Sequence, residues 1–185
     1  LRITSGAIGN VSNCSFVRCT AADGGAIISD GKLTVQGTQF TDCSATSSGG
    51  AFSFVSGDLL VDGCTITRCS APGGGGMDVS GIGTAHLVRC KLVDCSAQQT
   101  GGGIRVKRGL LLADDCTLSG CSGADAGGMD IAADGEAQLQ RCFIVSCQCQ
   151  NYDAGVVLIV GTMRMSNCEI LEPGHAALWI SGGGS

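Results

Sequence analysis

The chain has 185 residues, 44% of them hydrophobic but only 4% aromatic, with 31 glycines, 2 prolines, 13 cysteines and a formal net charge of −5. Its length suits one domain. The acidic balance argues against a nucleic-acid binder, which needs clustered Lys and Arg to neutralise phosphates. Abundant apolar residues at low charge exclude disorder, the glycines lack the period of three of collagen, and no apolar run approaches the ~18 residues of a membrane-spanning helix.

From the N-terminus, pairs of cysteines five residues apart recur along the chain. The second member falls at Cys19, Cys43, Cys69, Cys95, Cys121 and Cys147, at intervals of 24, 26, 26, 26 and 26. The first falls at Cys14, Cys64, Cys90, Cys116, Cys142 and Cys168, with Thr38 in the missing slot. A period this regular means that one small structural unit was copied and stacked.

Each unit begins with a short strand before its second cysteine, as in Phe16-Val-Arg-Cys19 and Phe40-Thr-Asp-Cys43. Ser-Ala or a near variant follows, then a double glycine (Gly24-Gly25, Gly49-Gly50, Gly75-Gly76, Gly101-Gly102, Gly127-Gly128). An apolar-alternating strand comes next. A single glycine (Gly31, Gly57, Gly83, Gly109, Gly135, Gly161) separates it from a second alternating strand. Three strand-like pieces bounded by turn residues, with no 3.6-residue periodicity or helix caps, make the chain all-β. The expected architecture is a parallel β-helix, a solenoid of about seven coils of about 26 residues with three short strands per coil. At ~4.8 Å per coil the rod is roughly 35 Å long.

Stacking predicts columns. Phe16, Phe40, Ile66, Leu92, Leu118, Ile144 and Ile170 form an inward apolar column. The strand after the single glycine supplies inward pairs from Leu33/Val35 to Met163/Met165, and Leu178-Trp179-Ile180 reads as an eighth copy of it. Three exterior columns alternate in sign: Arg18, Asp42, Arg68, Asp94; Arg89, Asp115, Arg141; and Asp78, Arg105, Asp130. As exposed pairs they contribute about 0–1 kcal/mol each, and their value lies in register, since a slipped coil would face like charges.

The third column carries the only catalytic candidates, Asp78, Arg105 and Asp130. The two carboxylates lie two coils apart, near ~9.6 Å, a separation close to that of an inverting glycosidase pair. Arg105 between them suits a uronate carboxylate. The plainer alternative is a surface ion-pair ladder in which Arg105 holds both carboxylates ionised and leaves no general acid. His86 sits on an outward strand position and His175 in the last turn, and neither anchors a triad. Asn10-Val-Ser12 and Asn13-Cys-Ser15 match the glycosylation sequon, which matters in a secreted chain.

Four states of the cysteines remain open. Bridges within a coil, such as Cys14 to Cys19, need Cα atoms closer than two strand residues and a corner allow, whereas vertical disulfides fit one coil spacing. Zinc held by two coils lacks the usual close-pair spacing. Reduced thiols would fill the corners as small buried hydrophobes. Thr38, the odd total of 13 and the unmatched Cys168, whose partner slot holds Pro173, argue against obligate pairing.

The aligned unit resembles the repeat of the chlamydial polymorphic membrane proteins, which is marked by Gly-Gly-Ala-Ile and Phe-x-x-Asn. Gly24-Gly25-Ala26-Ile27 and Gly49-Gly50-Ala51-Phe52 match the first motif. Phe16-Val-Arg-Cys19 and Phe40-Thr-Asp-Cys43 match the second, with Cys where the family has Asn. The resemblance covers nearly the whole chain to about residue 170. It implies a right-handed β-helix of the pectin-lyase-like type and a surface-displayed, adhesin-like role, and it supplies no catalytic residues.

The sequence therefore predicts a single β-helical domain over residues 1–180 and a Gly/Ser tail over 181–185. A start at Leu1 rather than Met reads as a piece of a longer chain. No targeting signal or cofactor motif is visible. The expected role is a non-enzymatic scaffold, extracellular or at the cell surface, that meets a protein or glycan partner through a sheet face or flank. Two alternatives stand beside it. One is a structural subunit docked in a larger, membrane-associated assembly, suggested by a mean hydropathy of +0.30 and by outward Val17, Leu60, Phe143, Val145 and Leu171. The other is a lyase or hydrolase acting on acidic polysaccharide.

Overall fold

A computed structural model describes residues 1–151, 154–171 and 176–180, with side chains for 1–151 and 160–171. The chain winds into a parallel solenoid with three sheets and, among the described residues, no helix. The second sheet stacks seven three-residue strands, from Ser15–Val17 to Glu169–Leu171, and the third stacks six. Six complete turns are thus present among the described residues. Every pairing is parallel, and rungs match at the repeat length: Ile66 lies between Phe40 and Leu92.

The corners explain why the sequence coils. The residue before every column cysteine has a left-handed backbone, with φ between 51 and 63°. Asn13, Gly37, Gly63, Arg89, Asp115, Arg141 and Asn167 turn the chain from the first sheet into the second. Arg18, Asp42, Arg68, Asp94, Gly120 and Ser146 turn it into the third. A single left-handed residue bends an extended chain sharply, at a cost of order 1–3 kcal/mol for a residue with a Cβ. The ladder survives the bend, because the Arg18 N–H still donates to Thr41 O of the next coil at 2.9 Å. Two of the alternating charge columns are thus corner residues.

The cysteine that follows points into the corner. Cys43, Cys64, Cys69, Cys90, Cys95, Cys116, Cys121, Cys142 and Cys147 are all buried. Each column thiol donates to the carbonyl two residues back, as Cys90 Sγ does to Val88 O at 3.3 Å. Thr38 makes the same bond to Gln36 O at 2.9 Å, so the odd residue of the column keeps its hydrogen bond. Sulfur also accepts from the preceding coil: Thr38 N–H to Cys64, Cys90 N–H to Cys116 and Cys142 N–H to Cys168, each at 3.4 Å. From Cys14 to Cys142, and at Cys168, the cysteines are unbridged thiols. Hydrogen bonding between stacked thiols splits the columns: together with burial it pushes Cys43, Cys64, Cys95 and Cys116 well above the ordinary thiol range, and it draws their neighbours Cys69, Cys90, Cys121 and Cys142 below it. Burial keeps both sets from reagents in the folded chain.

The apolar column runs as expected: Phe40, Ile66, Leu92, Leu118 and Ile144 are sealed, and the terminal Phe16 and Ile170 are half-buried. Phe16 stacks on Phe40 with centroids 5.1 Å apart. Three expectations change. The single glycine parts two strands at Gly31 and Gly161 but not between them; in the third to sixth coils both strands merge into one, as in Phe52–Asp62 and Met77–Val88. Gly57 at φ 90° and Gly83 at φ 140° absorb the bend, with a register shift between Val79 and Ile82, while pairing continues. Ala176–Ile180 pairs with Ala154–Ile159, so Leu178-Trp179-Ile180 copies the pre-glycine strand, not the post-glycine one. The phase was lost where the double glycine stops recurring. Met163 is half-buried and Met165 is exposed, unlike their sealed counterparts Ala137 and Leu139.

The corner account predicts unequal effects of two isosteric changes at Cys90. Cys90→Thr keeps a donor, as at Thr38, and should cost less than about 1 kcal/mol. Cys90→Val leaves the Val88 carbonyl without its thiol donor and should cost about 1 kcal/mol more than the Thr variant. Urea-unfolding midpoints at constant m-value measure the difference, and equal midpoints would show that the thiol only fills space.

Candidate acidic cluster in the sheet corner

Asp78, Arg105 and Asp130 occupy successive rungs of the first sheet, Arg105 pairing with Asp78 on one side and Asp130 on the other. They alternate with the inward Met77/Val79, Ile104/Val106 and Met129/Ile131, as strand geometry requires. Their outward side, however, is not solvent. The double-glycine turn brings the end of the third sheet over them, so Asp78 is 0% and Asp130 5% exposed. The expected exterior column is therefore a buried one. The turn is specific: Gly74 has φ 63°, and a Cβ there would overlap the Met77 carbonyl.

The residues facing this column across the corner are Asp23, Ser48, Gly73 and Thr100 by register, with Ala126 bridged to Thr100. At Gly73 a Cβ would overlap the Arg105 guanidinium. The missing side chain is what lets Arg105 lie down toward Asp78, with Nε 2.5 Å from Oδ1. The same one-coil reach recurs at the surface corners. Arg68 grips Asp42 at 2.8 and 3.2 Å, and Arg141 grips Asp115 at 2.6 and 3.0 Å. Each arginine holds its aspartate's carboxyl below the usual range. Arg89 departs from its column and takes Asp62, at 2.5 and 2.6 Å.

Asp130 differs from Asp78. Burial pushes its carboxyl up to about 6, against the opposing pull of the Thr100 hydroxyl and the Arg105 charge. Arg105 gives its hydrogen bond to Asp78 and acts on Asp130 through its charge. Two polar atoms in this corner, Asp78 Oδ2 and Thr100 Oγ1, are buried without a hydrogen-bond partner of good geometry. A carboxyl near 6 has an acid's chemistry, yet an inverting pair needs a water and a sugar between its members. Here Arg105 fills the rung between them, and Asp78 has no exposed surface.

One network escaped the sequence reading. His86 Nε2 lies 2.8 Å from Asp114 Oδ2. With its amide oriented to suit both neighbours, Gln140 donates to Asp114 at 3.0 Å and accepts from Arg141 at 3.1 Å. Next to it, Arg164 pairs with Glu136 at 2.7 Å. His86, Asp114, Gln140 and Arg164 border a surface groove of about 320 Å³ that Leu112 and Leu139 also line. Its signal was an offset of one coil plus two residues, His86 to Asp114, which a search along single columns passes over. His175 lies outside the described residues. Among the described residues no three His, Cys, Asp or Glu side chains converge as metal ligands. No described helix is long and apolar enough to cross a membrane.

If Gly73 exists to seat Arg105, Gly73→Ala should displace the guanidinium and strand the Asp78 carboxylate, costing about 3–5 kcal/mol. In an Asp78→Ser, Arg105→Ser background the same change should cost less than about 1 kcal/mol. Equal costs in both backgrounds, measured by denaturant unfolding, would disconnect the glycine from the ion pair.

A family model described as a right-handed β-helix region matches residues 1–125 and 44–185, together the whole chain. No curated protein and no solved structure matches it at a significant level.

Proposed function

The chain belongs to the right-handed β-helix family, and on that premise we propose that it is a non-enzymatic scaffold: an adhesin-like or structural segment, extracellular or at the cell surface, that binds a protein or glycan partner through a sheet face or flank. The observation that carries this reading is the sealing of the one singular acidic cluster. Asp78 has no exposed surface and spends a carboxylate oxygen on Arg105, while every other recurring feature is corner or turn chemistry. The repeat's likeness to that of the chlamydial polymorphic membrane proteins supports surface display.

Docking within a larger assembly is a second reading, favoured by Val17, Phe143 and Leu171 standing 50%, 44% and 48% exposed on the outer face of the second sheet. Action on acidic polysaccharide is a third, and the raised carboxyl of Asp130 is what favours it. Depolymerisation assays on polygalacturonate and alginate between pH 4 and 8 separate it from the scaffold reading. The expected result is no product above the blank for the wild-type chain. Turnover that disappears in Asp78→Asn or Asp130→Asn would overturn the scaffold reading.

A further inference from the structure

The first thiol column repeats by translation. Cys64, Cys90, Cys116, Cys142 and Cys168 each place Sγ 3.3 or 3.4 Å from the carbonyl two residues back, so all five side chains share one orientation. Their backbones are in register. Lys91, Thr117, Phe143 and Glu169 each donate an N–H, at 2.9 Å, to the carbonyl of the column cysteine one coil earlier. Like side chains in a parallel register stand one rung apart, so successive sulfurs are about 4.8 Å apart.

That interval is too long for one bond and suits two. A disulfide needs its sulfurs about 2.05 Å apart and would pull both side chains out of the shared orientation. A thiolate–metal bond is about 2.3 Å long, so an ion held in a straight line between two sulfurs spans about 4.6 Å. Soft thiolates select Cu(I), which accepts two sulfurs in a line. Zinc asks for four ligands, and among the described residues no three His, Cys, Asp or Glu side chains converge.

One level of the column offers an ion a way in. Cys142 is sealed, but Cys168, one coil on, is half-buried. The Cys142 N–H donates to Cys168 Sγ at 3.4 Å, a bond that strengthens when the sulfur is a thiolate. Arg141 attracts negative charge at Cys142, and Asp114 opposes it. At the other end of the same column Cys14 is exposed, but the next slot holds Thr38 and no thiol.

We propose that Cys142 and Cys168 form a two-coordinate site for Cu(I), built from two successive coils. Both thiols release their protons to solvent, two S–Cu bonds form and the copper stays monovalent, leaving a complex with one negative charge. Bonds at a sulfur are bent, so Cys142 cannot hold a further ion in line with Cys116, and the site takes one ion.

Alkylation of the intact, reduced chain under anaerobic conditions, with and without Cu(I) buffered by a chromogenic chelator, tests the site. Cu(I) should slow iodoacetamide labelling of Cys168 by about tenfold or more, since the metal-bound sulfur is no longer a free nucleophile, while Cys14 keeps its rate. Cys142→Thr, a residue that the column already accepts at Thr38, should restore the labelling of Cys168. Cys142→Ser takes its place if the threonine variant folds poorly. X-ray absorption of the loaded wild-type chain should show copper held by two sulfurs. Labelling of Cys168 that Cu(I) leaves unchanged, protection that survives the loss of the Cys142 thiol, or copper held by three sulfurs would overturn the proposal.

Discussion

Everything in this molecule depends on a bend that must be made at the same place on every turn. A solenoid closes only if its corners superpose, and here a left-handed residue followed by a small inward side chain makes each of two of them. The left-handed residue costs energy wherever it carries a Cβ. That cost is offset by the ladder hydrogen bonds that continue through the bend and by burial of the thiol beneath it. Glycine at Gly37, Gly63 and Gly120 makes the same bend with less strain. Cysteine suits the inner position because it is small, apolar and still able to satisfy a corner carbonyl. Thr38 shows that the hydrogen bond, and not sulfur itself, is what the position asks for.

With register fixed at the corners, the rest of the chemistry follows by stacking. An arginine one repeat after an aspartate reaches back to it, and whether the pair is a weak surface contact or a buried commitment depends on what lies across the corner. Arg68 and Asp42 stand in water, so their pairing adds little. Arg105 and Asp78 are enclosed, and the space for the guanidinium exists because the facing position is Gly73. A buried pair of this kind contributes less to net stability than to fixing one arrangement, since desolvation consumes most of the attraction. Asp130 inherits the consequence: the cation it faces is already hydrogen-bonded elsewhere.

The period, the parallel coil and the inward columns were legible because each rests on repetition, and an equivalent position has only its neighbours above and below to satisfy. The enclosure of Asp78 and Asp130 was not legible. Alternation along Met77-Asp78-Val79 correctly points Asp78 away from the core, but the covering element comes from another sheet, and only the tertiary bend at the double glycine brings it there. The same limit hid the His86–Asp114 contact, whose partners belong to different columns. Gly57 and Gly83 misled in the opposite sense: a glycine between alternating strands reads as a break, yet a parallel ladder on both sides carries the chain across it. The phase of the last coil failed because the double glycine, the marker on which it rested, no longer recurs there.

The central claim is that the cysteines are the inward, unbridged half of each corner. Time-resolved alkylation of the native chain, with peptide mapping of each site, tests it most directly. Cys14, exposed on the first coil, should be modified first, followed by Cys19 and Cys168. Cys64, Cys90, Cys95 and Cys116 should react only at the rate of global unfolding. Rapid, uniform labelling of all of these in the folded state, or a failure of the inner sites to react even after denaturation without reductant, would contradict the account.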